Sequence, residues 1–238
     1  MGLTALGSYL LGLFVLSRNH RHSLYSSWFY FCCSVGTWSL GYFFTMLPNV
    51  PKDIALLCSR VSHASGALIP AFFLRYIFIL LDIKKKKLLL ACYIPSVILA
   101  ILSLTSFVVI DLVPKLFFKY YPAGKFGYVL YVINFIYWVI VAHYFMIKNY
   151  RVISGYKRNQ MRYLLFGTIL GYFGGATCFP LVFNMQIPPY PTVLILVYVF
   201  TTTIAILRYR LMDITVAITR TGVFVAVYTL ILGLPFAV

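Results

Sequence analysis

The sequence predicts an all-α integral membrane protein: a bundle of seven transmembrane helices followed by the start of an eighth. Three observations predict it. Hydrophobic residues make up 62% of the chain and charged residues only 10%, where an ordinary soluble domain carries about 25% charged residues. Apolar runs recur seven times, at or near the roughly 20 residues that a spanning helix needs. The net charge of +16, from 20 Lys and Arg against 4 acidic residues, sits in short clusters between those runs. Basic residues placed in that way set membrane topology and do not form a nucleic-acid face.

The first run covers residues 3–17 and ends at the basic turn R-N-H-R-H. No basic segment precedes it, so it does not read as a cleavable signal peptide. The second, 24–47, is closed by the helix breakers Pro48, Asn49 and Pro51. The third, 54–81, is long enough to tilt, and D-I-K-K-K-K follows it. The fourth is 88–110. The segment 111–125, with two prolines, several aromatics and three lysines, is expected to skirt the outer surface as a loop, the alternative being that it caps a binding cavity from outside. The fifth run is 126–147, the sixth 163–183 and the seventh 192–207, with a proline-rich turn before the last. At Arg208 the apolar run stops, and Arg208, Arg210 and Asp213 arrive within six positions. An arginine at mid-helix in hydrocarbon costs about 2.5–3.5 kcal/mol, so this stretch reads as a cytoplasmic exit, where basic residues meet anionic headgroups. The domain layout is then a sensory bundle over 1–213, a linker over 214–220 and a further apolar run over 221–238. That run is still apolar at Val238, which suggests a longer natural chain.

Counting basic residues orients the bundle. The segments after runs one, three, five and seven hold 2, 4, 5 and 3 Lys or Arg, and the alternate segments hold 1, 3 and 0. The positive-inside rule then places the N-terminus outside and the end of run seven in the cytoplasm.

Candidate ligand-binding residues lie in runs three and five. Arg60, Ala64, Ala67, Ala71 and Arg75 follow steps of three and four and share a helix face, with His63 beside them. Arg60 and His63 could reach into an outward-facing cavity, or Arg60 could snorkel while His63 stays a satisfied bundle histidine. Tyr128, Tyr131, Asn134 and Trp138 recur at helical spacing and could line a pocket or form core and interfacial belt. Gly167, Gly171 and Gly175, each four residues on, make a small-residue face for helix packing. The five cysteines lie in or beside apolar runs without ligand spacing, and no metal site or cofactor is expected. Catalytic motifs such as G-x-S-x-G and H-E-x-x-H are absent from the sequence. The lack of acidic residues within the runs also argues against an ion-coupled pump.

Four strings carry a resemblance: S-R-V-S-H-A-S-G-A-L-I-P-A-F-F-L-R-Y at 59–76, Y-K-R-N-Q-M-R-Y-L-L-F-G at 156–167, I-P-P-Y-P at 187–191 and A-I-L-R-Y-R-L-M-D-I at 205–214. With the seven-run layout, they make the chain similar to the N-terminal seven-transmembrane sensory region of bacterial sensor histidine kinases. The resemblance implies a receptor module in the bacterial cytoplasmic membrane. It would bind a small-molecule or membrane-derived signal, relay it through Arg208, Arg210 and Asp213, and dimerise through a kinase region not in this sequence. The alternative is a small-molecule transporter or permease domain, which would move its substrate without any partner.

Overall fold

The computed structural model describes residues 1–18, 22–153 and 155–208. Arg210, Asp213, the linker and the last apolar run lie outside the described residues. Each of the seven predicted runs holds a helix. Helix α1 (Gly2–Arg18) packs on α2 (Ser23–Met46), and α2 packs along α3 (Lys52–Leu80). Helices α4 (Lys86–Ser103) and α5 (Phe126–Tyr150) lie against α3. Helix α6 (Gly155–Ala176) gives way to the short α7 (Phe179–Val182). After a 3-10 turn at Tyr190–Val193, α8 (Leu194–Arg208) returns along α6 and touches α1.

Four helical segments among the described residues are long and apolar enough to cross a membrane: Lys52–Leu80, Lys86–Ser103, Phe126–Tyr150 and Arg158–Val182. Gly2–Ser17 and Tyr190–Thr202 are shorter apolar helices. Helix α2 has 24 residues and no charge, but its serines and tyrosines lower its hydropathy. The chain is thus a mostly helical, multi-pass membrane protein. Helix α4 turns Leu90, Ile94, Ile98 and Ile101 outward, as a lipid-facing helix must.

Local chemistry sets the boundaries. Asp53 in the first turn of α3 complements the helix dipole. At its other end Asp82 is left-handed, with φ 50°. The Ile83 N–H donates to the Phe78 carbonyl at 2.8 Å and the Asp82 N–H to that of Ile79 at 3.3 Å. This is a Schellman closure with an aspartate where glycine is usual. Pro70 and Pro95 lie inside α3 and α4, which packed membrane helices tolerate.

Three boundaries depart from the predicted ones. The fourth run stops being helical at Ser103. The sixth is helical from Gly155 and breaks at Thr177 and Cys178, after which Phe179 starts α7 with Pro180 in its first turn. The third departure corrects the all-α expectation. Residues 111–115 and 118–123 form an antiparallel hairpin, β1 (Asp111–Lys115) and β2 (Phe118–Ala123). Asp111 pairs with Ala123 and Val113 with Tyr121, and the register shifts between Val113 and Lys115. Pro114, which has no N–H to donate, sits at that shift. The hairpin does not skirt the surface: Leu112, Lys115 and Tyr121 are buried against the bundle.

Candidate functional site

Helix α3 presents Ser59, Ser62, His63 and Gly66 on one face, and Ser59, Ser62 and His63 are buried. The Ser62 hydroxyl donates to the Trp38 carbonyl on α2 at 2.7 Å. His63, only 3% exposed, bonds the Ser59 carbonyl through Nδ1 at 2.7 Å. A carbonyl can only accept, so Nδ1 carries the proton. In the neutral ring Nε2 is then the acceptor for the Tyr128 hydroxyl, 3.1 Å away. Tyr128 and Tyr131 of α5 pack on the imidazole with ring centroids at 5.3 and 5.5 Å. Gly66 makes room for this cluster: a Cβ there would strike the Tyr131 hydroxyl and lie 3.0 Å from Trp38.

Two other predicted ligand-binding residues lie apart from His63 and the tyrosines. The Asn134 amide donates to Ser96 Oγ on α4 at 3.3 Å. A stripe with steps of three falls about 60° short of a full turn at each step, so it winds from α3 at Tyr128 toward α4 at Asn134. Arg60 is half-buried and its Nε–H donates to the Val109 carbonyl at 3.4 Å. Arg60 therefore leans on the irregular segment that leads into the hairpin.

The hairpin adds polar groups that sequence reasoning missed. The Tyr42 hydroxyl of α2 donates to that of Tyr121 at 2.7 Å, and Tyr121 donates to the Cys178 carbonyl at 2.7 Å. Lys115 is 8% exposed, and its Nζ donates to the carbonyls of Leu181 and Val182 at 2.9 and 2.7 Å. Burial pushes its amine below the usual lysine range. Cys178 lies at the break between α6 and α7, and Leu181 and Val182 close the C-terminal end of α7, so all three acceptors are helix-end carbonyls open to side-chain donors. The signal for this in the sequence is the short alternation of D-L-V-P-K and F-K-Y-Y-P-A.

The glycines of α6 lie against α8. A Cβ at Gly167 would strike Thr201 Oγ1, and one at Gly171 would lie 2.8 Å from Tyr198 Cβ. Gly175 has only ordinary contacts, at 3.8 Å to Ile195 and 3.9 Å to Trp38, while Gly174 would meet the Pro191 carbonyl at 2.6 Å. Between the α6–α8 pair and α2, α3 and α5 lies a cavity of about 50 Å³, lined in part by Trp38, Tyr131, Phe135, Gly171, Gly175 and Tyr198. Tyr131 thus joins the His63 cluster to the α6–α8 contact. Arg208 is the last helical residue of α8. Among the described residues no group of three or more His, Cys, Asp or Glu is placed to hold a metal ion.

Residues 1–215 match the family model described as the N-terminal 7TM region of histidine kinase. The chain belongs to that family. The matched residues include the hairpin, the His63 cluster, the glycines of α6 and the string R-Y-R at 208–210. No curated protein and no solved structure matches the chain. The cluster on α3 and α5 brings hydroxyls, an imidazole and aromatic faces together.

Proposed function

We propose that this chain is the membrane-embedded sensory module of a two-component histidine kinase in the bacterial cytoplasmic membrane. It spans the bilayer seven times, with the N-terminus outside. A small-molecule or membrane-derived signal engages His63, Tyr128 and Tyr131, flanked by Arg60 and Asn134, and changes how the α6–α8 pair seats on the remaining helices. Gly167, Gly171 and Gly175 hold that seat close. Helix α8 carries the change through Arg208, Arg210 and Asp213 to output domains, in a homodimer joined at the kinase region.

The observation that carries this reading is the cavity between the α6–α8 pair and α2, α3 and α5. The lining of such a void lacks packing partners on one side, so reseating the pair there forfeits fewer contacts than in a filled contact. A signal shifts the balance only by its preference for one seating. A tenfold preference supplies about 1.4 kcal/mol.

The test is Gly171→Leu in the full-length kinase. The new side chain fills the cavity and pushes on Tyr198. The kinase should still reach the membrane at normal abundance, with autophosphorylation locked at one level across stimulus conditions. Wild-type modulation in that variant would sink the relay.

A further inference from the structure

A joined apolar surface is exposed at the hairpin end of the bundle. Leu116 and Phe117 form the hairpin tip and are 44% and 61% exposed. Phe117 stacks on Tyr190, itself 69% exposed, with ring centroids at 5.9 Å and the planes 8° apart. The stack joins the tip to the connection between α7 and α8, where Met185, Ile187 and Val193 are exposed too. That connection is held down: the N–H groups of Phe183 and Met185 both donate to the Pro180 carbonyl, at 3.0 and 3.1 Å. Single exposed apolar residues are ordinary, but a joined patch marks contact with a membrane or a partner.

The distribution of charge decides between them. Neither 116–118 nor 183–193 contains a charged residue. The hairpin's charges turn the other way, toward the connection between α2 and α3, where Asp111 pairs with Lys52 and Lys119 reaches the Pro48 carbonyl. The hairpin thus has a charged flank and an uncharged apolar tip. Charges that would steer and register a protein partner are missing from the patch. It is also continuous with surface that faces lipid. The candidate span Arg158–Val182 ends one residue before Phe183, and the apolar helix Tyr190–Thr202 begins inside the patch. A connection at the end of a span lies at headgroup level, where amphipathic aromatic rings collect.

We infer that the hairpin tip and the α7–α8 connection are immersed in the lipid headgroup layer on the hairpin side of the membrane, so that the hairpin couples this leaflet to α7. The coupling runs through Lys115, next to the tip, which holds the Leu181 and Val182 carbonyls, and through Tyr121, which holds that of Cys178. A tip that moves with the lipid therefore pulls on both ends of α7. This gives the membrane-derived signal of the sensory reading a point of entry and rests on that reading for its purpose, while immersion is measured without any kinase output.

The experiment uses the full chain, freed of its five cysteines, in phosphatidylcholine–phosphatidylglycerol vesicles. A nitroxide label is placed in turn on Phe117→Cys, Ile187→Cys and Lys119→Cys. Dissolved oxygen, which concentrates in lipid, should relax the labels at 117 and 187 more than a water-soluble nickel chelate does, and the order should reverse at 119. Nickel contact at 117 equal to that at 119 would put the tip in water and overturn the inference. Shielding of 117 and 187 from both reagents would overturn it as well, because protein and not lipid would then cover the patch. Phe117→Trp, with the native cysteines kept, gives a second reading. Its added emission should be quenched by lipid brominated near the top of the acyl chain and spared by aqueous iodide, and the opposite result would again place the tip in water. Phe117→Glu alters an exposed position, so the full-length kinase should keep its abundance while its basal autophosphorylation shifts. Immersed labels with unshifted autophosphorylation would keep the surface and refute its coupling to α7, and the relay through α6 and α8 stands or falls by its own test.

Discussion

At the scale of single residues, the informative groups are buried hydroxyls and cations that hold backbone carbonyls. Tyr121 accepts from Tyr42 and donates to Cys178, so Tyr121→Phe removes two bonds and leaves the Tyr42 hydroxyl buried and orphaned. An unsatisfied buried group costs about 1–3 kcal/mol. Tyr42→Phe removes only one bond, and Tyr121 keeps its acceptor at Cys178. Thermal unfolding in detergent should therefore rank Tyr121→Phe as the more destabilised. A different prediction concerns Asp111, whose carboxyl is held below the usual carboxylate range by the Lys52 ammonium at 2.8 Å and then by the Leu112 N–H. A depressed carboxyl pKa stabilises the fold above the ordinary carboxylate value, and that stability is lost as pH falls through the lowered one. Lys52 and Asp111 are 47% and 45% exposed, so the pair is worth only about 0–1 kcal/mol. The wild type should exceed Asp111→Asn in unfolding temperature near neutral pH, and the difference should vanish in acid. A difference that persisted in acid would refute the ion pair as its source. Single residues were only partly legible in the sequence. His63, Tyr128 and Tyr131 do converge, because steps of three and four keep them on facing helix stripes. Lys115 and Tyr121 carry no such periodic mark, because their partners are carbonyls 57–67 residues away.

Among the elements, helices were legible and their interruptions were not. Apolar runs mark helices because hydrocarbon forces the backbone to bond within itself. The hairpin β1–β2 lies outside that constraint. Its strands have 5 and 6 residues and contain Pro114 and Pro122, which read as loop punctuation. The break after α6 is silent because the chain stays apolar through Cys178, Phe179 and Pro180. The small-residue face of α6 shows how spacing proposes and packing decides. Gly171 lies 2.8 Å, by its added Cβ, from the root of Tyr198, whereas Gly175 has 3.8 Å to a flexible isoleucine tip. Overpacking of the first kind costs about 1–3 kcal/mol. Gly171→Ala should lower the unfolding temperature clearly and Gly175→Ala hardly at all. Equal effects would mean that α6 and α8 slide apart freely, without a fixed seat.

For the whole molecule, the distribution of charge and the position of the hairpin argue for one orientation. Lys84 and Lys85 lie between α3 and α4 and Lys86 and Lys87 open α4, while Lys148, Arg151, Lys157, Arg158 and Arg162 surround the junction of α5 and α6. The hairpin segment joins α4 to α5, so it belongs to the opposite end of the bundle. It also carries three lysines, but Lys115 is buried on carbonyls and Lys119 donates to the Pro48 carbonyl at 2.9 Å. These two are tied to protein and are poorly placed to meet anionic lipid. The inward pull therefore belongs to the other end, where clustered lysines meet the anionic leaflet at about 1 kcal/mol each. This predicts opposite accessibility for two engineered thiols. In a variant freed of its five cysteines, a membrane-impermeant maleimide applied to intact cells should label Lys119→Cys and spare Lys85→Cys. After lysis both should label equally. The reverse pattern would invert the bundle and move the His63 cluster, which lies on the hairpin side, to the cytoplasm. A signal reaching that cluster would then come from within the cell.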